Sequence, residues 1–187
     1  VASLQKAIYG IREILIIVSG DIVFSGTNAE YKKAEDFFER LQKQLSERYD
    51  LDKIDILIVP GNHDVNYSIG TKLDVNVLKS IEADDKYDEL LEEELKKQSP
   101  FFSFSEKFNC FPKKKRIVDI HTLEYGKYIL QVNLINTAVF SSLDEDQGFH
   151  YMTASDVNTL SENRHADYVF SVMHHPHHWY NWRVKKR

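Results

Sequence analysis

From Glu13 to Val18 the chain reads Glu-Ile-Leu-Ile-Ile-Val, and from Asp55 to Val59 it reads Asp-Ile-Leu-Ile-Val. Short runs this rich in branched apolar residues, without polar alternation, are the pattern of strands buried on both faces. Tyr168 to Met173 is a third run of this kind. Between the first two, Tyr31, Ala34, Phe37, Phe38, Leu41 and Leu45 recur at three- and four-residue spacings, which predicts an amphipathic helix from Ala29 to Arg48. Arg116 to Glu124 and Lys127 to Ile135 read as strands around a Tyr125-Gly126 turn. Asn136 to Leu143 reads as a further strand or the exit of the last one. A short helix over Asp156 to Leu160 has Ser155 as its cap. Residues 3–10 look like a helix end, stopped by Gly10. Strand, loop, helix, strand is the grammar of an α/β domain.

Residues 70–112 break that grammar. They are charged and helical in pattern, with Leu90, Leu91 and Leu95 as a thin apolar stripe, and they read as a helical cap or insertion. The aromatic run from Pro100 to Phe111 is taken as the apolar side of that insert in preference to a pocket lining.

The length of 187 residues suits one domain, 1–187, with a substantial core. Hydrophobic residues make up 42% and charged residues 28%, as in soluble globular proteins. The net charge of −5 supplies no field to recruit nucleic acid, so that partner is admitted but not favoured. The basic runs at 113–116 and 184–187 read as solvated surface. Cys110 is the single cysteine, which excludes a disulfide framework and a thiolate metal site and fits a reducing, cytoplasmic setting. No apolar run reaches the length of a membrane span.

The chemistry gathers where the strand patterns end. Val18 leads into Gly20-Asp21, Val59 into Asn62-His63-Asp64, and Met173 into His174. In open α/β sheets, ligands bind beyond the carboxyl ends of the strands. Each cluster alone fits a turn; three together point to a site. Asp, Asn and His offer oxygen and nitrogen donors to a divalent ion, without sulfur. An Asp can bridge two ions, and two ions roughly 3.5–4 Å apart suit in-line attack on phosphorus. His63, oriented by Asp64, is then placed to protonate the leaving oxygen. The other histidines, His121, His150, His165, His175, His177 and His178, read individually as structural or exposed. Trp179 and Trp182 read as packing.

Gly20-Asp21, Gly61-Asn62-His63-Asp64 and His174-His175-Pro176, in this order, resemble three motifs of the calcineurin-like metallophosphoesterases. The stretch from Val18 to Asn66 is similar to the bacterial branch that includes the class III cyclic-nucleotide phosphodiesterases. The likeness covers most of residues 10–66 and 130–180 but not 70–112. It implies a two-layered β-sandwich core flanked by helices, with two divalent metal ions, Mn, Fe or Zn. It implies Asp21 as the bridging ligand, Asn62 and His174 as ligands of one ion, His63 as the proton donor and Asp64 as its partner. The ligand His of that family stands two residues before Pro, which selects His174 over His175. The family's Asp-x-His and Gly-His-x-His motifs are expected before residue 1 and after residue 187, so the fold is expected to be incomplete at both ends, a piece of a larger chain. Asp144 or Asp146 is a further carboxylate for the rim. The expected reaction is hydrolysis of a phosphomonoester or phosphodiester by metal-bound hydroxide, a nucleotide being one candidate substrate. The alternatives are a weakly metal-binding scaffold or effector module, and a nuclease using the same site.

Overall fold

The computed structural model describes residues 10–70, 86–112, 116–142, 150, 152, 154–161 and 165–180. Most of the 3–10 helix end, residues 71–85 of the expected insert, Asp144, Asp146, Trp182 and nearly all of both basic runs lie outside the described residues.

Strands β1 (Glu13–Ser19) and β2 (Lys53–Val59) pair in parallel, with Glu13 opposite Lys53 and Ser19 opposite Val59. A parallel pair needs a crossover, and α1 (Asn28–Arg48) supplies it. The helix starts where Thr27 and Glu30 cap each other. The Thr27 hydroxyl accepts from the Glu30 amide at 3.4 Å, and the Glu30 carboxylate accepts from the Thr27 amide at 3.1 Å. Tyr31 and Phe38 on α1 are buried, whereas Phe37 is 53% exposed. Adjacent helical residues point about 100° apart, so Phe37 and Phe38 do not share the core face.

The described part of the 70–112 segment is helical. It forms α2 (Lys86–Lys97) and α3 (Ser99–Ser105), followed by a short 3-10 turn, Glu106–Phe108. Leu90, Leu91 and Leu95 pack against Val139 and Phe140. Phe101, Phe102 and Phe104 enter the main core with Tyr31, Phe38 and β2. The aromatic run is therefore core. At about 1.5–3 kcal/mol for each fully buried side chain, it contributes substantially to stability.

Strands β3 (Val118–Tyr125) and β4 (Tyr128–Ile135) form an antiparallel hairpin, with Tyr125 opposite Tyr128 across the turn. Gly126 takes φ +57° there. Residues 136–142 do not continue as a strand: 137–140 form a turn, and Leu143 lies outside the described residues. Helix α4 (Ala154–Ser161) starts two residues earlier than expected, and β5 (Tyr168–Val172) pairs in parallel with β4. This gives a second sheet of order β3-β4-β5 beside the β1-β2 sheet.

The two sheets are tied at both ends. At one end, the Tyr125 hydroxyl donates to Asp55 Oδ2 at 2.7 Å and to the Ile14 carbonyl at 3.1 Å. At the other, beyond β5, His174 reaches the Ser19 carbonyl at the end of β1.

The expectation of full burial holds for the apolar half of β2. It fails for β1 and β5. Ile17 is 42% exposed, and Tyr168, Val169 and Phe170 are each about half exposed. Among the described residues each of these strands is paired on one side only, and no layer covers its outer face.

Candidate metal centre

The loop after β1 opens with Gly20 at φ +100° and Asp21 at φ +54°. Asp21 thus sits in the left-handed region, a conformation that costs a non-glycine residue about 1–3 kcal/mol. The glycines on either side of the centre permit close approach. A Cβ at Gly61 would fall 2.2 Å from Asp21 Oδ1, and one at Gly20 would fall 2.4 Å from His174 Nδ1. Both distances are inside contact, so only glycine lets the three strand-end loops touch.

What they bring together is Asp21, Asn62 and His174. The Nδ1 of His174 lies 2.8 Å from the Ser19 carbonyl oxygen. A carbonyl only accepts, so Nδ1 carries a proton, and in the neutral form of the ring the lone pair lies on Nε2. That Nε2 faces Asn62 Oδ1 at 3.2 Å and Asp21 Oδ1 at 3.6 Å. Two oxygens and, in that form, an imidazole lone pair therefore converge, an arrangement that a proton or a metal cation on Nε2 would offset. The donor set fits a divalent ion, and the Ser19 carbonyl performs the orienting task that supports metal-bound histidines. Among the described residues, no group of three or more His, Cys, Asp or Glu side chains gathers. The donors assembled here are thus enough to start the coordination shell of one ion.

Asn62, His63 and Asp64 form one turn of 3-10 helix. Consecutive side chains on such a turn point about 120° apart. Asn62 accordingly faces His174, His63 faces outward and Asp64 faces in. Asp64 is fully buried and accepts four hydrogen bonds. They come from the amides of Gly61 at 2.8 Å, Ile22 at 3.2 Å and Val23 at 3.2 Å, and from the Tyr31 hydroxyl at 2.9 Å. Burial pushes its carboxyl above the ordinary value, and the hydrogen bonds pull the other way.

This corrects the expectation that Asp64 orients His63. The Nδ1 of His63 lies 3.0 Å from the Phe24 carbonyl oxygen, and the Phe24 ring stacks on the imidazole with centroids 5.0 Å apart. The His63 amide donates to Asp21 Oδ1 at 3.2 Å. Asp64 instead joins the Asp21 loop, the Asn62 loop and α1 into one unit.

His175 turns away from the centre. It is buried, its Nδ1 lies 2.9 Å from the Thr137 hydroxyl, and its ring stacks on His150 at 4.0 Å. His121 pairs with Asp119 at 2.8 Å, and His177 and His178 lie on the 3-10 turn that follows Pro176. A cavity of about 470 Å³ opens beside Asp21, bounded by Val18, Ile22, Val23, Lys33 and Phe37.

Sequence reasoning missed Phe24 and the polar role of Tyr31. Tyr31 was counted for its ring alone. A tyrosine on the buried face of a helix brings a hydroxyl that needs a partner, and that was the available signal. Nothing in the sequence marks a backbone carbonyl such as that of Phe24.

Residues 2–186 match the calcineurin-like phosphoesterases. The chain belongs to that family. No curated protein and no solved structure matches the chain. Calcineurin-like phosphoesterases generally bind two divalent metals, and the family points to metal-dependent hydrolysis of phosphoesters. The match is to the family as a whole, not to its cyclic-nucleotide branch. The two sheets flanked by helices agree with the metallo-dependent phosphatase fold. No helix among the described residues is long and apolar enough to cross a membrane.

Proposed function

We propose that the chain carries the hydrolytic site of a dinuclear phosphoesterase acting on phosphomonoesters or phosphodiesters. The observation that supports this best is the orientation of His174, whose Nε2 is turned toward Asp21 and Asn62 while the Ser19 carbonyl holds Nδ1. Asp21 would bridge the two ions, with Asn62 and His174 holding one of them. Bound there, the ions supply positive charge to the phosphate and acidify a water. His63, with Nδ1 held by the Phe24 carbonyl, presents Nε2 to the substrate side and gives a proton to the leaving oxygen. Asp64 keeps both loops in place. The substrate, the metal identity and any further ligands belong to the same proposal.

The test measures metal content and hydrolysis of bis-p-nitrophenyl phosphate by the full natural chain. His174→Ala is expected to lose metal and activity together. His63→Ala is expected to keep most metal while turnover falls roughly 10²–10⁴-fold, the contribution of general acid–base catalysis. Loss of metal in His63→Ala, or metal retained in His174→Ala, would refute the assignment. A second reading, a module that binds metal weakly and does not turn over, draws on the donors among the described residues, which serve one ion. Hydrolysis that never exceeds that of a metal-stripped sample would favour it.

A further inference from the structure

We infer that Phe24 forms a wall of the leaving-group subsite and that the favoured leaving group carries a flat aromatic face, as a nucleoside base does. This rests on the reading of His63 as proton donor. Phe24 is 76% exposed, yet its loop is pinned on both sides. Before it, the Ile22 and Val23 amides donate to Asp64. After it, the Ser25 and Thr27 amides donate to Glu30 at 3.2 and 3.1 Å. Gly26, at φ +61°, lies against the Val65 backbone, where a Cβ would come within 2.6 Å. A large apolar ring is thus presented to solvent from a braced loop.

The position of that ring gives it a task. One face stacks on His63 with an interplanar angle of 24°, and the residue's own carbonyl occupies His63 Nδ1. The nitrogen left for the substrate is Nε2. A group bonded to the oxygen that Nε2 protonates then has the exposed Phe24 ring available on the stacked side of His63. Stacking of a base on an aromatic side chain is worth about 1–3 kcal/mol, whereas a sugar or alkyl group gains only contact area. Roughly tenfold discrimination corresponds to about 1.4 kcal/mol, in the lower half of that range.

The test compares AMP with ribose 5-phosphate, whose leaving alkoxides are alike and which differ by the base. In the wild-type full chain with Mn²⁺, kcat/KM is expected to favour AMP roughly tenfold. Phe24→Ala should reduce that ratio to about twofold or less, and Phe24→Trp should keep it. An equal fall for both compounds in Phe24→Ala, with the ratio unchanged, would show that Phe24 only positions His63 and would overturn the inference. Calorimetric binding of the same two compounds gives the same ratio without turnover. A Phe24-dependent preference for AMP in a protein that hydrolyses neither would leave the base-stacking role of Phe24 standing and sink both the hydrolytic reading and the leaving-group assignment that rests on it. Normal metal-dependent hydrolysis without preference for AMP would do the reverse.

Discussion

Replacing Tyr31 with Phe removes a single oxygen from the interior. That oxygen donates to Asp64 Oδ1 at 2.9 Å and also lies 3.2 Å from the Asp64 carbonyl oxygen. The ring itself stays where it packs, 5.2 Å from Phe104 and 6.3 Å from Phe101 between centroids, so no sizeable cavity opens. What changes is the solvation of a carboxylate with no exposed surface. Hydrogen bonds to buried charged groups contribute about 1.5–3 kcal/mol each. Asp64 keeps three amide donors, so the lower half of that range is expected, about 1.5–2 kcal/mol. Urea unfolding should show a lower midpoint with an unchanged slope. Turnover should fall as well, because Asp64 joins the loops of Asp21 and His63. A loss below about 0.5 kcal/mol, the scale of ordinary surface substitutions, would refute the central position given to Asp64.

Two further outcomes follow from buried groups. Lys97 Nζ lies 2.7 and 2.8 Å from the two Glu94 oxygens, and both side chains are almost fully buried, so Glu94→Gln leaves a buried ammonium without its counter-charge and should cost about 3–5 kcal/mol. The double change Glu94→Leu with Lys97→Met should lose less in the same unfolding assay, and a larger loss would contradict the argument. The Cys110 thiol is buried and pushed up to about 12, so iodoacetamide should label it far more slowly in the native protein at pH 8 than in urea. Its folded value lies above the unfolded one, so its contribution to stability is fully present below about pH 8.5 and is lost as the pH rises toward 12. Cys110→Ala should remove that part of the alkaline slope, and equal labelling rates in native and unfolded protein would exclude the burial.

The elements that were legible in the sequence are those set by local pattern. The helix from Asn28 to Arg48 shows its period, and the β3-β4 hairpin shows its Tyr-Gly turn. The apolar runs identified β1, β2 and β5 as strands, but not what covers them. Exposure of Ile17 and Phe170 depends on which layers lie over an edge strand, and that is a non-local property. The same limit applied at the centre. Asp21, Asn62 and His174 were legible because each follows a strand end, and the Ser19–Val59 register brings two of those ends level. The partners of Asp64 and His63 were not legible, because three of Asp64's four donors are backbone amides and the His63 acceptor is a backbone carbonyl. Every residue but proline carries those groups, so sequence does not distinguish them.

The turn at Asn62–Asp64 explains why four unlike residues follow a buried strand. Gly61 has no side chain because Asp21 occupies that space. The next three residues lie on a 3-10 turn, so their side chains radiate in three directions. One direction leads to the converging donors, one outward to Phe24 and one into the interior. A carboxylate suits the inward position because four donors from the Asp21 loop, Gly61 and α1 meet there. An amide in place of Asp64 would offer one acceptor atom and set its NH₂ against amide donors. An imidazole in place of Asn62 would alter the reach to His174, and a carboxylate there would add charge beside Asp21. Each of the four positions is therefore constrained by a different neighbour, and the turn geometry makes those constraints compatible within consecutive residues.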